Sequence, residues 1–294
     1  VAKQNGVALT GVAKISGQTV SLYENTYSMH FDGTDESLMC GQACNFGFDD
    51  AFSVSFWYQV TAQLAYDTFV SKTMWQGNYP LGGGVGWSVY YNNYFNFTME
   101  GSNWAREATI SNGFWAAVWT ANGVAVPGDW HHMVISYNGD GLSKNNMKMY
   151  IDSYDVSTPY SDRVDGPGVL TNDAEFVIGD MDWQAGPDPP TSRSRNGNID
   201  EVAIFDYELS QSDINLIYNG TPPSGGGAPS PAIWNDGTGV PGNLNTLSTP
   251  PVNWWRMGDD WTSGTTITDQ IGDKDGTMTN MDGEDSGVKA EVPS

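Results

Sequence analysis

The segment from residue 198 to residue 220 constrains the fold more than any other part of this chain. It reads NIDEVAIFDYELSQSDINLIYNG, and its first half has the composition of a strand, with apolar residues at Ile199, Val202 and Ile204. Ser210, a residue type that caps helices, then precedes apolar residues at helical spacing. We therefore predict a strand, a turn and one short amphipathic helix that ends at the last glycine of the segment.

The central region of the chain predicts further strands. In FSVSFWYQV, residues 52–60, apolar side chains alternate with mostly polar ones, as expected of a sandwich strand with one buried face. Residues 27–38 read as a strand that turns at Asp32 and Gly33. The 35 glycines and 15 prolines are consistent with many short strands joined by turns.

Several short motifs occur in the order typical of one family. They are FDGTD, FSVSFW, WHHMVISYNG, FVIG and GNIDEV. Over residues 27–220 the chain resembles laminin G-like domains of the concanavalin A-like lectin and glucanase superfamily. The resemblance implies an all-β fold, a concanavalin A-like antiparallel β-sandwich (jelly roll) with one short helix, here with an N-terminal arm and a C-terminal extension. Residues 101–128 depart from the family pattern as a tryptophan-rich insertion.

Residues 1–26 are predicted to form the N-terminal arm. VAKQNGVALTG and VAKISGQTVSL are an approximate tandem repeat that places Lys3 and Lys14 at equivalent positions, and we interpret these lysines as part of an assembly arm. Two copies are too few for a solenoid. Two interpretations stay open: a flexible arm, or a β-hairpin or strand pair that docks on a neighbouring subunit.

The amino-acid composition of the chain changes after the predicted sandwich region. Residues 221–252 begin with TPPSGGGAPSP and are predicted to be a Pro/Gly-rich linker. Residues 253–294 are the predicted C-terminal segment. Within it, residues 253–281 begin with NWWRMGDDW and resemble the opening strand and loop that a laminin G-like domain normally carries at its start. We favour a circularly permuted domain in which this segment completes the sandwich. The alternative is the truncated start of a second domain.

The charge balance excludes several classes of partner. Twelve Lys and Arg stand against 35 Asp and Glu, which gives a formal net charge of −23. This field repels phosphate backbones and anionic lipids, so we expect no nucleic-acid binding. Membrane insertion is not expected either, because no apolar run approaches the roughly 20 residues that cross a bilayer.

Two cysteines, Cys40 and Cys44, lie in the loop-like stretch LMCGQACNFGF. Their close spacing in a loop favours a local disulfide, and two free thiols are the alternative. A zinc site would need two further soft ligands, and the three histidines occur in strand-like segments instead.

A structural calcium ion is implied by the family resemblance. Sandwiches of this superfamily often carry one where the first and last strands meet, and Asp32 and Asp200 match family positions there. Carboxylate oxygens suit Ca²⁺. The alternative is that both residues only cap turns.

Carbohydrates bind proteins through stacking on aromatic rings and through hydrogen bonds from amides and carboxylates. Aromatic residues in glycine- and asparagine-rich stretches, where loops are expected, are therefore candidates together with a neighbouring asparagine. The predicted carbohydrate-binding residues are Trp75, Asn78, Tyr79, Trp104 and Trp115. The alternative is that each aromatic residue packs beneath a loop.

Glucanases share this fold, so catalysis has to be considered. Retaining enzymes use two carboxyl groups about 5–5.5 Å apart. The nearest approach here is the stretch from Asp180 through Asp182 to Gln184, and a glutamine cannot act as a general acid. We therefore expect no catalytic residues and no enzyme activity.

Two function classes follow from these observations. The first is a non-enzymatic structural or adhesion protein displayed on a phage or virus particle, as a capsid decoration or fibre, because the tail of the chain resembles virion-associated proteins of marine phages. It would contact other subunits of the particle, or of a homo-oligomer, and host glycans. The alternative is a secreted or cell-surface carbohydrate-binding module. The expected location is accordingly the virion surface or the extracellular space.

Overall fold

The structure is a computed structural model of the chain. It describes residues 24–61, 67–76, 83–91, 95–101, 114–119, 128–141, 144–164, 170–181, 195–219, 239–281 and 286–293, together with short strands near the N-terminus. Those N-terminal strands are β1 (Lys3–Gln4), β2 (Val7–Ala8), β3 (Val12–Ile15) and β4 (Gln18–Ser21).

Seventeen further strands follow, which makes 21 strands in the part of the chain that the structure describes. In chain order they are β5 (Ser28–Asp32), β6 (Ser37–Met39), β7 (Phe52–Val60), β8 (Asp67–Gln76), β9 (Gly83–Tyr91), β10 (Phe95–Gly101), β11 (Phe114–Trp119), β12 (Trp130–Tyr137), β13 (Met147–Ile151), β14 (Tyr154–Asp155), β15 (Thr158–Val164), β16 (Val177–Ile178), β17 (Asn196–Phe205), β18 (Asn253–Trp255), β19 (Thr266–Ile267), β20 (Gly276–Thr279) and β21 (Gly287–Lys289). The helix α1 spans Gln211–Tyr218, and 3-10 turns span Lys144–Asn146 and Leu244–Thr246.

Two large sheets form the sandwich. The nine-stranded sheet has the order β15-β11-β10-β9-β8-β16-β6-β20-β19, and the eight-stranded sheet has the order β14-β13-β12-β7-β17-β5-β21 with β18 paired to β17. Neighbouring strands are antiparallel, as β8 with β9 and β7 with β12. The predicted all-β, concanavalin A-like sandwich with one short helix is confirmed for the part of the chain that the structure describes.

The main core lies between the two sheets. Strand β7 contributes Phe52, Val54, Phe56 and Tyr58 to it, which is the apolar set of the predicted alternation. The polar set of the same strand is also buried, and the burial pattern of β7 has no exposed position. The prediction of a single buried face was therefore incomplete, because a second apolar layer covers the outer side of the eight-stranded sheet.

That second layer is built around α1. The helix begins after Ser210, whose side chain accepts a hydrogen bond from the Asp213 backbone N–H, so the predicted cap is confirmed. The helix ends at Tyr218, and its C-terminal cap is Asn219 in the left-handed region with φ 46°, one residue before the predicted glycine. Within the described residues, no helix has the length and apolar character to cross a membrane.

Strands from the C-terminal segment belong to both sheets. Strand β18 pairs with β17, β20 pairs with β6, and β21 pairs with β5. Trp255 of β18 is fully buried in the main core and lies 5.5 Å from Phe176 between ring centroids. The boundaries of the four predicted segments (1–26, 27–220, 221–252 and 253–294) stay a prediction.

The two copies of the N-terminal repeat each form a hairpin. Strand β1 pairs with β2, with Lys3 opposite Ala8, and β3 pairs with β4, with Lys14 opposite Thr19. The sheet order gives these strands no pairing with the two large sheets. Whether the hairpins dock on another subunit stays a prediction.

Candidate functional site

The outer face of the eight-stranded sheet is covered by the chain itself. Trp57 of β7 stacks on Tyr218 of α1, with ring centroids 5.7 Å apart and planes 13° from parallel. Ser53 of the same strand donates to Tyr207 O and accepts from Leu209 N at 2.9 and 3.0 Å. A buried apolar cluster surrounds these contacts, so the described part of this face offers no open platform for a ligand.

Hydroxyl side chains lie on the described part of the outer face of the nine-stranded sheet. Register places Ser71 of β8 opposite Ser88 of β9, and Ser88 opposite Thr98 of β10. Ser88 Oγ lies 3.0 Å from Thr98 Oγ1, and Ser71 Oγ donates to Asp180 O at 3.0 Å. These hydroxyls are buried, alternate with core residues along their strands, and form an uncharged floor on this face.

Two of the predicted carbohydrate-binding residues belong to strands of this same sheet. Trp75 is paired with Gly84 in β8 and β9, and Trp115 is paired with Glu100 in β11 and β10. The other three, Asn78, Tyr79 and Trp104, lie outside the described residues. The role of all five stays a prediction.

The structure does not bring the two predicted calcium ligands together. Asp32 is opposite Asn196, four residues before Asp200 in β17, a distance of about 13 Å along the strand. Asp32 Oδ1 instead accepts from Thr34 N at 2.8 Å, inside its own turn. Calcium ligands lie about 2.3–2.6 Å from the ion, so Asp32 and Asp200 do not fit one shared site.

Asp200 has a donor set of its own. Its carboxylate accepts from Asn25 Nδ2 at 2.7 Å and from Glu201 N at 2.8 Å. Burial raises the pKa of Asp200 well above its usual range, and the Glu201 carboxylate raises it further. Among the described residues, Asn25 Oδ1 and the fully buried Ser28 Oγ have no hydrogen-bond partner. Ser28 precedes Met29, which is paired with Ile199, the residue before Asp200.

These oxygens are of the hard type that a calcium ion takes. Across the described residues, no group of three or more His, Cys, Asp and Glu side chains could hold a metal. A cation at Asp200 would therefore depend on the amide and hydroxyl oxygens of Asn25 and Ser28. The assignment of Asp32 and Asp200 to a calcium ion stays a prediction.

Cys40 and Cys44 are both buried free thiols in the structure, not the predicted disulfide. Cys40 directly follows β6, and its Sγ lies 3.8 Å from Leu38 O. Cys44 is the last residue of the following turn and has φ 57°. Burial raises the pKa of both thiols well above the usual value. The close spacing of the two cysteines was compatible with a disulfide and with two free thiols. The structure shows two free thiols.

Two buried pairs of titratable side chains were not found from the sequence. His131 Nδ1 lies 2.6 Å from Asp152 Oδ2, and Arg195 is paired with Asp67 between the sheets. Burial raises the pKa of Asp67 to about 6, although Arg195 opposes the shift. The partners in each pair are 21 and 128 residues apart, so no local spacing could have shown them.

A family profile described as Laminin_G_3, "Concanavalin A-like lectin/glucanases superfamily", matches residues 32–215. The chain belongs to this family. The description covers both lectins and glucanases, so membership shows the sandwich and leaves the activity open. No curated protein matches the laminin G-like chain in sequence.

Solved structures with some similarity to the laminin G-like chain include the following. A putative carbohydrate binding protein from Bacteroides ovatus is 12% identical with a TM-score of 0.52, over 95% of this chain and 65% of that protein. Domains LG4-5 of mouse laminin alpha1 are 12% identical with a TM-score of 0.40, over 72% of this chain and 48% of theirs. The NanB sialidase from Streptococcus pneumoniae is 10% identical with a TM-score of 0.43, over 65% of this chain and 27% of the sialidase. The laminin G-like chain thus spans less than two thirds of the length of these proteins.

The glucanase-like carboxylate pair can be followed only in part. Asp180 Oδ1 accepts a hydrogen bond from Met181 N at 2.7 Å, and the Asp180 carbonyl accepts from Ser71. Asp182 and Gln184 lie outside the described residues. The expectation that this laminin G-like chain is not an enzyme stays a prediction.

Proposed function

We propose that this laminin G-like chain is a non-enzymatic domain that binds polysaccharide on the outer face of its nine-stranded sheet. One observation carries the choice of face. The described outer side of the eight-stranded sheet is closed by α1, while the nine-stranded sheet has an uncharged hydroxyl floor in the same sheet as Trp75 and Trp115. Hydroxyls and aromatic rings are the groups that sugars bind.

The absence of hydrolysis is part of the proposal. A glycosidase needs a carboxylic acid to protonate the leaving group, and Gln184 stands where the second acid would follow Asp180 and Asp182. Asp180 is held by hydrogen bonds to its own loop and to β8. These features support binding without bond cleavage.

A second part of the proposal concerns where the domain is located. The domain would be carried on a phage or virus particle as a capsid decoration or fibre, with the hairpins of Lys3 and Lys14 contacting other subunits, and would bind host glycans. The alternative is a secreted or cell-surface carbohydrate-binding module. Isolation as part of a filament or particle favours the first location, and a glycan-binding monomer favours the second.

The test of carbohydrate binding uses the purified full chain on a panel of soluble polysaccharides. We expect binding without release of reducing sugar, and loss of binding in Trp75→Ala and Trp104→Ala while the melting temperature is kept. Trp261→Ala is the matched control, since Trp261 is exposed on a loop after β18. Reducing sugar released by the wild type and abolished in Asp180→Asn would overturn the non-enzymatic proposal.

We extend the proposal to a structural calcium ion held by Asp200, with Asn25 and Ser28 as further oxygen donors. Calcium would then raise the melting temperature of the wild type, and Asp200→Asn would abolish the increase. Asp32→Asn is the matched control and should keep the increase, because Asp32 lies about 13 Å away along the strand pair. An equal response of both variants would contradict this ligand assignment.

A further inference from the structure

One corner of the sandwich fixes the place where the N-terminal hairpins leave it. Asp259 Oδ1, in the turn that follows β18, accepts hydrogen bonds from the backbone N–H groups of Thr26 and Tyr27, at 2.7 and 2.9 Å. These contacts join residues 24–27 to residues 256–261. We call these two segments together the root corner, because only two residues separate it from the end of β4.

Arg256 strengthens this junction. It contacts Glu24 O and is paired with the Asp259 carboxylate. Its Nε also lies 3.2 Å from Glu201 Oε1, so one guanidinium faces two carboxylates of the main body. The point from which the hairpins leave the sandwich is therefore held by side chains of the C-terminal segment.

The root corner exposes two large aromatic side chains. Tyr27 is 38% exposed and Trp261 is 37% exposed, and among the large apolar residues of the described chain only Leu216 and Ile271 are exposed as well. Trp261 N donates to Gly258 O at 2.9 Å, and a Cβ at Gly258 would lie 3.2 Å from Tyr27 Cβ. Tyr27 and Trp261 therefore belong to one continuous surface.

The outward charge of the root corner is negative. Glu24 and Asp260 are exposed, and neither has an ion-pair partner among the residues that the structure describes. The hairpin segment has the opposite charge, because residues 1–22 contain two lysines and no Asp or Glu. The rest of the chain has ten Lys and Arg against all 35 Asp and Glu. Complementary charge of this kind selects partners at a contact surface.

We propose that the root corner receives an N-terminal hairpin of a second copy, so that two copies exchange hairpins in a symmetric dimer. The inference rests on the proposed subunit contacts of the hairpins and names the surface that receives them. Strands β3 and β4 have four residues each, about 14 Å, so this hairpin reaches only surfaces near its own root corner. In a two-fold dimer the two root corners lie side by side, and each hairpin contacts the partner's corner.

This contact satisfies both of its components. Two-stranded hairpins are marginally stable by themselves, and β3 and β4 pair with neither large sheet. The contact covers the exposed rings of Tyr27 and Trp261 and brings a cationic segment next to Glu24 and Asp260. Burial of aromatic rings supplies affinity, and the charges supply selectivity.

Sedimentation velocity of the full chain across a concentration series measures the dimer. We expect a dimer whose dissociation constant rises at about 1 M salt, where the Debye length is about 3 Å. Trp261→Ala and Asp260→Lys should each raise the dissociation constant about tenfold or more, because they remove a ring contact and reverse a charge. Leu216→Ala and Asp206→Lys change exposed residues elsewhere and are the matched controls, which should dimerise as the wild type does.

Deletion of residues 1–22 separates this inference from the proposed role of the hairpins. If the deletion abolishes the dimer but Trp261→Ala and Asp260→Lys keep it, the root corner is not the receiving surface and the hairpin contacts stand. If the deletion leaves the dimer intact, the proposed hairpin contacts themselves fail. A full chain that stays monomeric, or that assembles only into open filaments, would contradict the reciprocal exchange. Circular dichroism and the melting temperature verify that each variant is folded.

Discussion

His132 illustrates how one buried side chain joins the sheet to the helix that covers it. Its Nε2 lies 2.8 Å from Ser55 Oγ, and its ring centroid lies 5.1 Å from that of Trp57 and 6.1 Å from that of Tyr218. Burial lowers the pKa of His132 to about 3, because a charged ring would lose its hydration there. The imidazole is therefore neutral in the folded protein at neutral pH.

This depressed pKa predicts acid sensitivity. The unfolded chain takes up a proton at His132 near pH 6.5, whereas the folded chain resists protonation down to about pH 3. The contribution of His132 to stability is therefore full above pH 6.5 and is lost as the pH falls toward 3, at up to about 1.4 kcal/mol per pH unit. Urea unfolding across this range measures the slope.

His132→Gln supplies the comparison for that slope. The amide can still bond to Ser55 but does not titrate, so the variant should lose less stability on acidification than the wild type. Measurement of both proteins above pH 6.5 is the control, since their slopes should agree there. An equally steep loss in the variant would assign the acid sensitivity to other groups.

At the scale of elements, β18 pairs with the part of β17 that extends beyond β5. Strand β5 pairs with residues 196–199 of β17, and β18 pairs with residues 202–204 on the same side. Glu201 lies at the changeover with φ 51°, and its carboxylate accepts from Trp254 Nε1 at 2.6 Å and from Arg256 Nε at 3.2 Å. Without β18, backbone groups of β17 would lose their ladder partners.

The position of β18 predicts that the sandwich depends on the C-terminal segment. Trp255 is fully buried, and its Nε1 donates to Lys274 O at 2.7 Å. Trp255→Ala should cost about 3–5 kcal/mol of unfolding free energy. Removal of everything after residue 222 should lower the melting temperature of the whole domain.

Thermal and urea unfolding measure both changes. Trp261→Ala is the matched control, because Trp261 is 37% exposed and its loss should change stability little. A truncated protein that melts at the same temperature as the full chain would mean that the segment is an independent tail.

At the scale of the whole molecule, the N-terminal hairpins are separate from the sandwich in sheet order. Two-stranded hairpins are marginally stable by themselves, and these strands have only two to four residues each. This supports the hypothesis that residues 1–22 become ordered against another subunit or a particle surface.

Deletion of residues 1–22 tests that hypothesis. We expect the sandwich to keep its melting temperature, since none of its strands pairs with the hairpins in the sheet order, and assembly to be lost. Light scattering and electron microscopy of full-length and shortened protein give the assembly state. Assembly that persists without the hairpins would contradict a role for Lys3 and Lys14.

The sequence by itself determined the features that depend on local periodicity. The apolar alternation of β7, the cap at Ser210 and the helix over 211–218 follow from neighbours a few residues apart, and the family motifs indicated the sandwich. The strand, the cap and the helix depend on backbone geometry and on the burial of one face of the element. Both are encoded in short stretches of sequence.

Only the tertiary structure decided features that join distant residues. It buried the polar side of β7 under α1, separated Asp32 from Asp200 by the register of β5 on β17, and left Cys40 and Cys44 as free thiols. The physical reason is that strand register, and which sheet face is covered by other elements, depend on the packing of the whole chain. A short sequence pattern does not determine either of them.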